Sequence, residues 1–189
     1  CTRGCRFCAV GTVRVPPDLN PEEPRELADA VSKMGLSYAV ITVVNRDDLP
    51  DGGSIHYRDC IIEVAKNNPN VGLELLCSDL DGNLEALDTL LDGLPLRVFA
   101  HNVECVPRLD SVVRDHRASF GQSLEILRTA KEIRPNLLTK TSLMVGLGEA
   151  DEEITEAMEM IRGAGVDMIT LGQYLQPSFR HLPVDRFPE

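Results

Sequence analysis

The sequence predicts an α/β fold with a parallel sheet whose outer face is covered by helices. Two features carry that expectation: β-branched apolar runs alternate with amphipathic stretches of helical period, and short turns join them. A third agrees, since residues able to do chemistry follow the C-terminal ends of the apolar runs, where parallel barrels carry their sites. The expected architecture is a partial barrel of βα units, with a doubly wound open sheet as the alternative.

The elements follow in order. A cysteine-rich loop, Cys1-Thr2-Arg3-Gly4-Cys5-Arg6-Phe7-Cys8, comes first, and Pro16-Pro17-Asp18-Leu19-Asn20-Pro21 makes a stiff turn. Glu22 to Met34 carries Leu27, Ala28, Ala30, Val31 and Met34 at helical spacing and is stopped by Gly35. Tyr38 to Val44 is a β-branched strand running into the polar loop Asn45 to Gly53. Helix His56 to Lys66, strand Val71 to Leu76, helix Leu84 to Leu91 and strand Leu96 to Ala100 continue the alternation. Ser119 is placed to cap a helix reaching Ile133; strand Leu137 to Val145, helix Asp151 to Ala164 and strand Val166 to Leu171 complete it.

The 189 residues, 43% hydrophobic, suffice for one domain spanning 1–189 with a sizeable core, and no repeat, low-complexity segment or internal boundary divides them. Apolar runs such as Tyr38-Ala39-Val40-Ile41 are too short to span a membrane. A net charge of -11 argues against nonspecific nucleic-acid binding. Of the six cysteines, three crowd the first loop and Cys60, Cys77 and Cys105 are scattered, unlike a secreted disulfide framework, so a reducing compartment is expected. The stretch Pro183 to Pro188 reads as a connector.

Three thiolates at the spacing of Cys1, Cys5 and Cys8 can converge on one iron–sulfur cluster and leave a fourth iron open to a ligand. A zinc site lacking its fourth donor, a disulfide with a spare thiol, or three buried cysteines are the alternatives that spacing leaves open. Phe7 can shield a cluster, and Arg3 and Arg6 supply charge that would stabilise thiolates.

The CxxxCxxC with an aromatic residue before its last cysteine resembles the signature of the radical S-adenosylmethionine (SAM) enzymes. Together with RDDLPDGG at 46–53, AHNVECV at 100–106, TKTSLMVGLGE at 139–149 and LGQYLQPS at 171–178, it resembles the lipoyl synthase family along the whole chain. The resemblance implies a partial (βα)6 TIM-like barrel of the radical SAM type, whose first strand would lie upstream of Cys1. It implies a [4Fe-4S] cluster on Cys1, Cys5 and Cys8 whose open iron is chelated by the amino and carboxylate groups of SAM. The implied reaction is sulfur insertion at C6 and C8 of an octanoyl chain on a lysine of a lipoyl carrier, such as the glycine cleavage H protein or an E2 lipoyl domain. A ferredoxin or flavodoxin would supply electrons.

The family's second, auxiliary [4Fe-4S] cluster needs an N-terminal CxxxxCxxxxxC and a C-terminal serine, and these residues contain neither. Gly11, Asn45 and Leu80-Asp81 stand where lysine, aspartate and phenylalanine-arginine are expected. The wording of the blocks leans towards a mitochondrial matrix protein, with a cytoplasmic location if the source is bacterial. A biotin-synthase-like enzyme, or a metal-stapled barrel acting as a binding module, are the rival functions.

Candidate cofactor contacts stand at the strand ends. The carboxylates of Asn45 to Gly53 could orient an amino group or a carrier's arm, or simply form a capped turn. Asn102 and Glu104 alternate to one side and could bond ribose hydroxyls, whereas His101 reads as a packed, satisfied histidine. Lys140 and Ser142 share a strand face, and the lysine needs an anionic partner that the SAM carboxylate could provide. The Gly146-Leu147-Gly148-Glu149 turn resembles the glycine-rich element by which the radical SAM superfamily passes backbone close to adenine, or is a plain strand-end turn, and Gln173, Tyr174 and Gln176 would close one side, or serve the core or a helix cap.

Overall fold

The computed structural model describes residues 1–188. Strands β1 (Tyr38–Thr42), β2 (Gly72–Leu76), β3 (Val98–Ala100), β4 (Leu138–Val145) and β5 (Met168–Gln173) form one sheet in sequence order, every pair parallel. Between them run α1 (Glu23–Met34), α2 (Ser54–Asn67), α3 (Leu84–Leu91), α4 (Asp110–Val113), α5 (Phe120–Ile133) and α6 (Asp151–Gly163). Each expected element is present, with ends within two residues of the sequence reading.

Strand order decides between the two architectures. A doubly wound sheet reverses its order at a switch point, whereas an unbroken β1-to-β5 order keeps every crossover helix on one face and curls the sheet as a partial barrel. The outer face confirms it: Leu73, Leu75, Phe99 and Leu143 are fully buried in one cluster with Ile61, Leu87, Leu90 and Leu127 from α2, α3 and α5. Burying each such side chain contributes roughly 1.5–3 kcal/mol. The alternate residues, Val40, Glu74, Val98 and Lys140, take the inner face.

Local signals explain the boundaries. Gly35 ends α1 in the left-handed conformation, φ 61°, and Ser119 accepts the Gln122 amide as the α5 cap. Met34, expected on the buried side of α1, is exposed at its last residue; only Ala28 and Val31 of that helix are buried. Residues 101–118, which periodicity left unassigned, hold a 3-10 turn at Pro107–Leu109 and the single turn α4.

Candidate functional site

A cavity opens at the C-terminal ends of β1, β2 and β3, and Cys1, Cys5, Cys8, Phe7, Asn102 and Glu104 all line it. The cysteine loop folds back on itself through Cys8 N–H to Cys5 O (3.2 Å), Val13 N–H to Cys1 O (3.0 Å) and the Thr12 hydroxyl to Arg3 O (2.8 Å).

Three other loops fasten it. Thr2 N–H bonds Asn45 O at 3.0 Å, Arg6 N–H bonds Val113 O at 2.9 Å, and Gly4 N–H bonds the Asp115 carboxylate at 2.9 Å. Arg3, buried, pairs with Asp47 at 2.8 Å, Asp79 at 2.5 Å and Asp81 at 3.4 Å. Arg117 joins Asp47 to Asp115 and donates to Thr2 O. Asp115 is held well below the usual carboxylate range, first by its hydrogen bonds from Arg117.

This corrects the expectation for Arg3 and favours the capped-turn alternative for the loop after β1. Arg3 does not serve the thiols, because three carboxylates surround its guanidinium; Arg6 reaches the Val112 carbonyl at the surface. The carboxylates after β1 likewise face their own structure: Asp47 clamps the cysteine loop, Asp48 pairs with Arg46, and Asp51 caps α2 through the amides of Gly53 and Ile55.

The donor set suits a cluster. Among the described residues no three Cys, His, Asp or Glu side chains gather closely enough to hold a single metal ion. A cubane places its protein ligands on three different irons, so thiols ringing a cavity fit it better than thiols meeting at a point. One amide already serves them, Asp115 N–H to Cys5 Sγ at 3.2 Å, the kind of hydrogen bond that tunes cluster sulfurs. Burial raises the Cys5 thiol, opposed by that amide and by Arg114.

Asn102 and Glu104 reach the cavity together because Val103 between them turns inward, fully buried. Glu104 adopts φ 67°, which lets its backbone bridge β4 through Ser142 O and Met144 N. Burial raises its carboxyl, with Arg114 and Asn102 opposing. His101 is the satisfied histidine the sequence suggests, bonding Cys77 O and Ser123 Oγ at 2.9 Å each, and burial depresses it to about 4.

The other candidates lie elsewhere. Lys140 has a partner in the chain, Glu74 at 2.8 Å, whose second oxygen accepts from Tyr38; Ser142 bonds Thr170 O. The 146–149 turn closes on itself, the amides of Gly146 and Leu147 bonding the buried Glu149 carboxylate at 2.6 and 2.9 Å. Gly148 O accepts from Arg108. Gln173 donates to Tyr174 O and Arg186 O, and Tyr174 to Leu182 O, so they hold the C-terminal stretch, as the core reading allowed. None of Lys140, Ser142, Gly146, Gly148 and Gln173 lines the cysteine cavity.

The departures also find places. Asn45 donates to Asp79 at 3.2 Å, where an aspartate would set carboxylate against carboxylate. Leu80 and Asp81 both take positive φ, 49° and 54°, which buries Leu80 and turns Asp81 towards Arg3. A Cβ at Gly11 would meet nothing within 4 Å. The residues that sequence reading missed, Asp79, Arg114, Asp115 and Arg117, reach the loop only through the tertiary fold, and no local pattern marks them.

The family model for the Radical SAM superfamily matches residues 1–161. The chain is 52% identical over 97% of its length to a mitochondrial lipoyl synthase of Culex quinquefasciatus, of which it covers 48%. It is 54% identical over 99% to the lipoyl synthase of Halorhodospira halophila, covering 56%, and 52% over 99% to a chloroplastic lipoyl synthase of Arabidopsis thaliana, covering 47%. The chain thus spans about half the length of the curated relatives it matches. Methylornithine synthase superposes with a TM-score of 0.71 at 15% identity over 99% of this chain and 53% of that one. HydG, a maturase of the [FeFe]-hydrogenase, gives 0.71 at 16% over 100% and 43%. These likenesses show the fold.

Proposed function

The chain belongs to the radical SAM superfamily, and from that premise we propose that it is the SAM-cleaving core of a lipoyl synthase, acting on an octanoylated lipoyl carrier. One observation carries the reading: three thiols from one loop share a cavity with Phe7, Asn102 and Glu104, in a chain about half identical to lipoyl synthases.

Cys1, Cys5 and Cys8 would hold the [4Fe-4S] cluster, which with SAM would supply the radical chemistry needed to replace C–H bonds at C6 and C8 of the octanoyl chain by C–S bonds. The chain's own residues position and enclose. The Arg3–Asp47–Asp79 clamp fixes the cysteine loop, the Asp115 amide steadies Cys5, Phe7 walls the cavity, and Asn102 and Glu104 offer an amide and a carboxylate to ribose hydroxyls. Lys140 keeps Glu74 neutralised in the barrel interior in place of a cofactor contact. The 189 residues act as a single unit, and the second cluster that would provide sulfur is not built from Cys60, Cys77 and Cys105, which are buried. A ferredoxin or flavodoxin fits as electron donor. A mitochondrial matrix location is supported by the mosquito relative, whose name says mitochondrial; the Halorhodospira relative's name gives no compartment, and a bacterial source would make it cytoplasmic.

The test is anaerobic reconstitution with iron and sulfide, followed by electron paramagnetic resonance of the reduced protein. A [4Fe-4S] signal that shifts on adding SAM, and is absent when any one of Cys1, Cys5 or Cys8 is serine, is expected. A cluster indifferent to SAM refutes the reading.

A further inference from the structure

Resting on that reading of a carrier-borne substrate, we propose that the rim of the cysteine cavity is a docking surface for an acidic carrier protein. The charge distribution comes first. Thirty of the 189 residues are Asp or Glu, yet none occurs in residues 1–17 or 168–184. The fold joins one part of each stretch: Leu182 N–H bonds Arg6 O at 3.2 Å, and the His181 ring meets Cys8 O at 3.0 Å.

The surface so formed is basic and apolar. Arg6, Arg14 and Arg180 are exposed and tied to the cysteine loop through their neighbours: Arg6 lies between Cys5 and Cys8, Arg14 follows Val13, whose amide bonds Cys1 O, and Arg180 precedes His181. Arg3, Arg46, Arg117 and Arg186 are instead each held by carboxylates. Val15 is 85% exposed and Phe179 102%. Exposed arginine beside an exposed aromatic ring is the composition of a recognition surface, and free cations at the rim of a cavity steer an anionic partner towards it. The helical exterior does the reverse, with Glu22, Glu23, Glu26 and Asp29 around α1 and Asp151, Glu152, Glu153, Glu156 and Glu159 on α6. A protein of net charge -11 therefore repels an acidic partner on its flanks and accepts it at the mouth, where an acyl-lysine arm can enter.

The experiment uses the intact, cluster-loaded protein and two substrates: an uncharged octanoyl-lysine peptide and an acidic octanoylated lipoyl domain. In the variant R14E/R180E, KM for the domain rises about tenfold or more and loses its dependence on ionic strength, as expected when rim charges guide association. KM for the peptide, and SAM cleavage without substrate, stay at wild-type values; F179A raises KM for the domain alone. An unchanged KM for the domain overturns the proposal, as does an equal rise for the peptide, which would place these residues inside the site. Cross-linking of Arg14 or Phe179 positions to the protein's own flanking chain, with no carrier present, overturns it too. KM is read from substrate-stimulated SAM cleavage, which needs no sulfur donor: wild-type protein whose SAM cleavage responds to neither substrate sinks the functional reading, whereas a response to both that R14E/R180E leaves unchanged sinks the docking surface alone.

Discussion

Replacing Arg3 with methionine removes the cation that ties the cysteine loop to the ends of β1 and β2. Its side chain is 3% exposed, and its partners Asp79 and Asp47 are 1% and 10% exposed. Breaking a buried ion pair from one side costs about 3–5 kcal/mol, because the other charge stays buried. The remaining partners set where in that range the value falls. Asp79 keeps donors from Asn45, Gln122 and the Asp81 amide, while Asp47 keeps Thr2 and Arg117. The lower end, about 3 kcal/mol, follows, and for a chain of this length it lowers the thermal midpoint by about 6–12 °C. Circular dichroism melting measures it, with Arg25→Met as control, since the Arg25–Glu22 pair is solvent-exposed and its loss should leave the midpoint unchanged. Iron bound per chain after reconstitution should fall in parallel, because the loop that presents Cys1 and Cys5 loses its anchor. A midpoint within 2 °C of wild type would show that the three aspartates do not need the guanidinium, and the clamp argument fails.

Other outcomes follow from the same geometry. Lys140→Met strands the Glu74 carboxylate with only Tyr38 and costs about 3 kcal/mol, whereas the double change E74L/K140L recovers most of it, as urea midpoints of the three variants would show. Gly146→Ala forces an alanine to φ 92° against the Arg186 carbonyl and the Gln173 amide; roughly 1–2 kcal/mol from conformation alone should appear as faster amide exchange in residues 182–188. His101, depressed by burial to about 4, stays neutral in the folded chain while an unfolded histidine takes a proton near 6.5. Stability is therefore full above about 6.5 and declines as pH falls towards 4, by up to roughly 3 kcal/mol, and H101N should flatten that slope in denaturant titrations.

Much of the fold was legible because its elements carry strong local signals. Gly35 and Ser119 mark a stop and a start that the structure keeps, and the β-branched runs at Tyr38 and Leu138 read as strands in either sheet architecture. That the three loop cysteines, Phe7, Asn102 and Glu104 would face one cavity was legible for a similar reason: a short loop and a two-residue alternation are local geometry. The partner of Lys140 in the fold was not legible because Glu74 lies 66 positions away, across β3, and an inward lysine cannot by itself reveal which anion neutralises it. The closure of the Gly146–Glu149 turn on its own glutamate was not legible, because a glycine with positive φ serves equally to approach a ligand or to fold such a turn. Asp115 and Arg117 sit in a stretch with no periodicity at all, and only the tertiary fold gives them a partner.

The fastening of the cysteine loop also fixes when the site can exist. Gly4 is held by Asp115, 111 positions later, and Arg3 by Asp79, 76 positions later. A ribosome adding about 5–20 residues per second needs roughly 6–20 s to bring Asp115 out after Gly4. Throughout that interval the three thiols are an unstructured peptide, open to oxidation or to adventitious metal, and the pocket that would select a cluster has not closed. On the proposed function, cluster delivery would therefore wait until β1 to β3 and the segment carrying Asp115 have been made, and anything that slows synthesis between Gly4 and Asp115 lengthens the exposure of the three thiols.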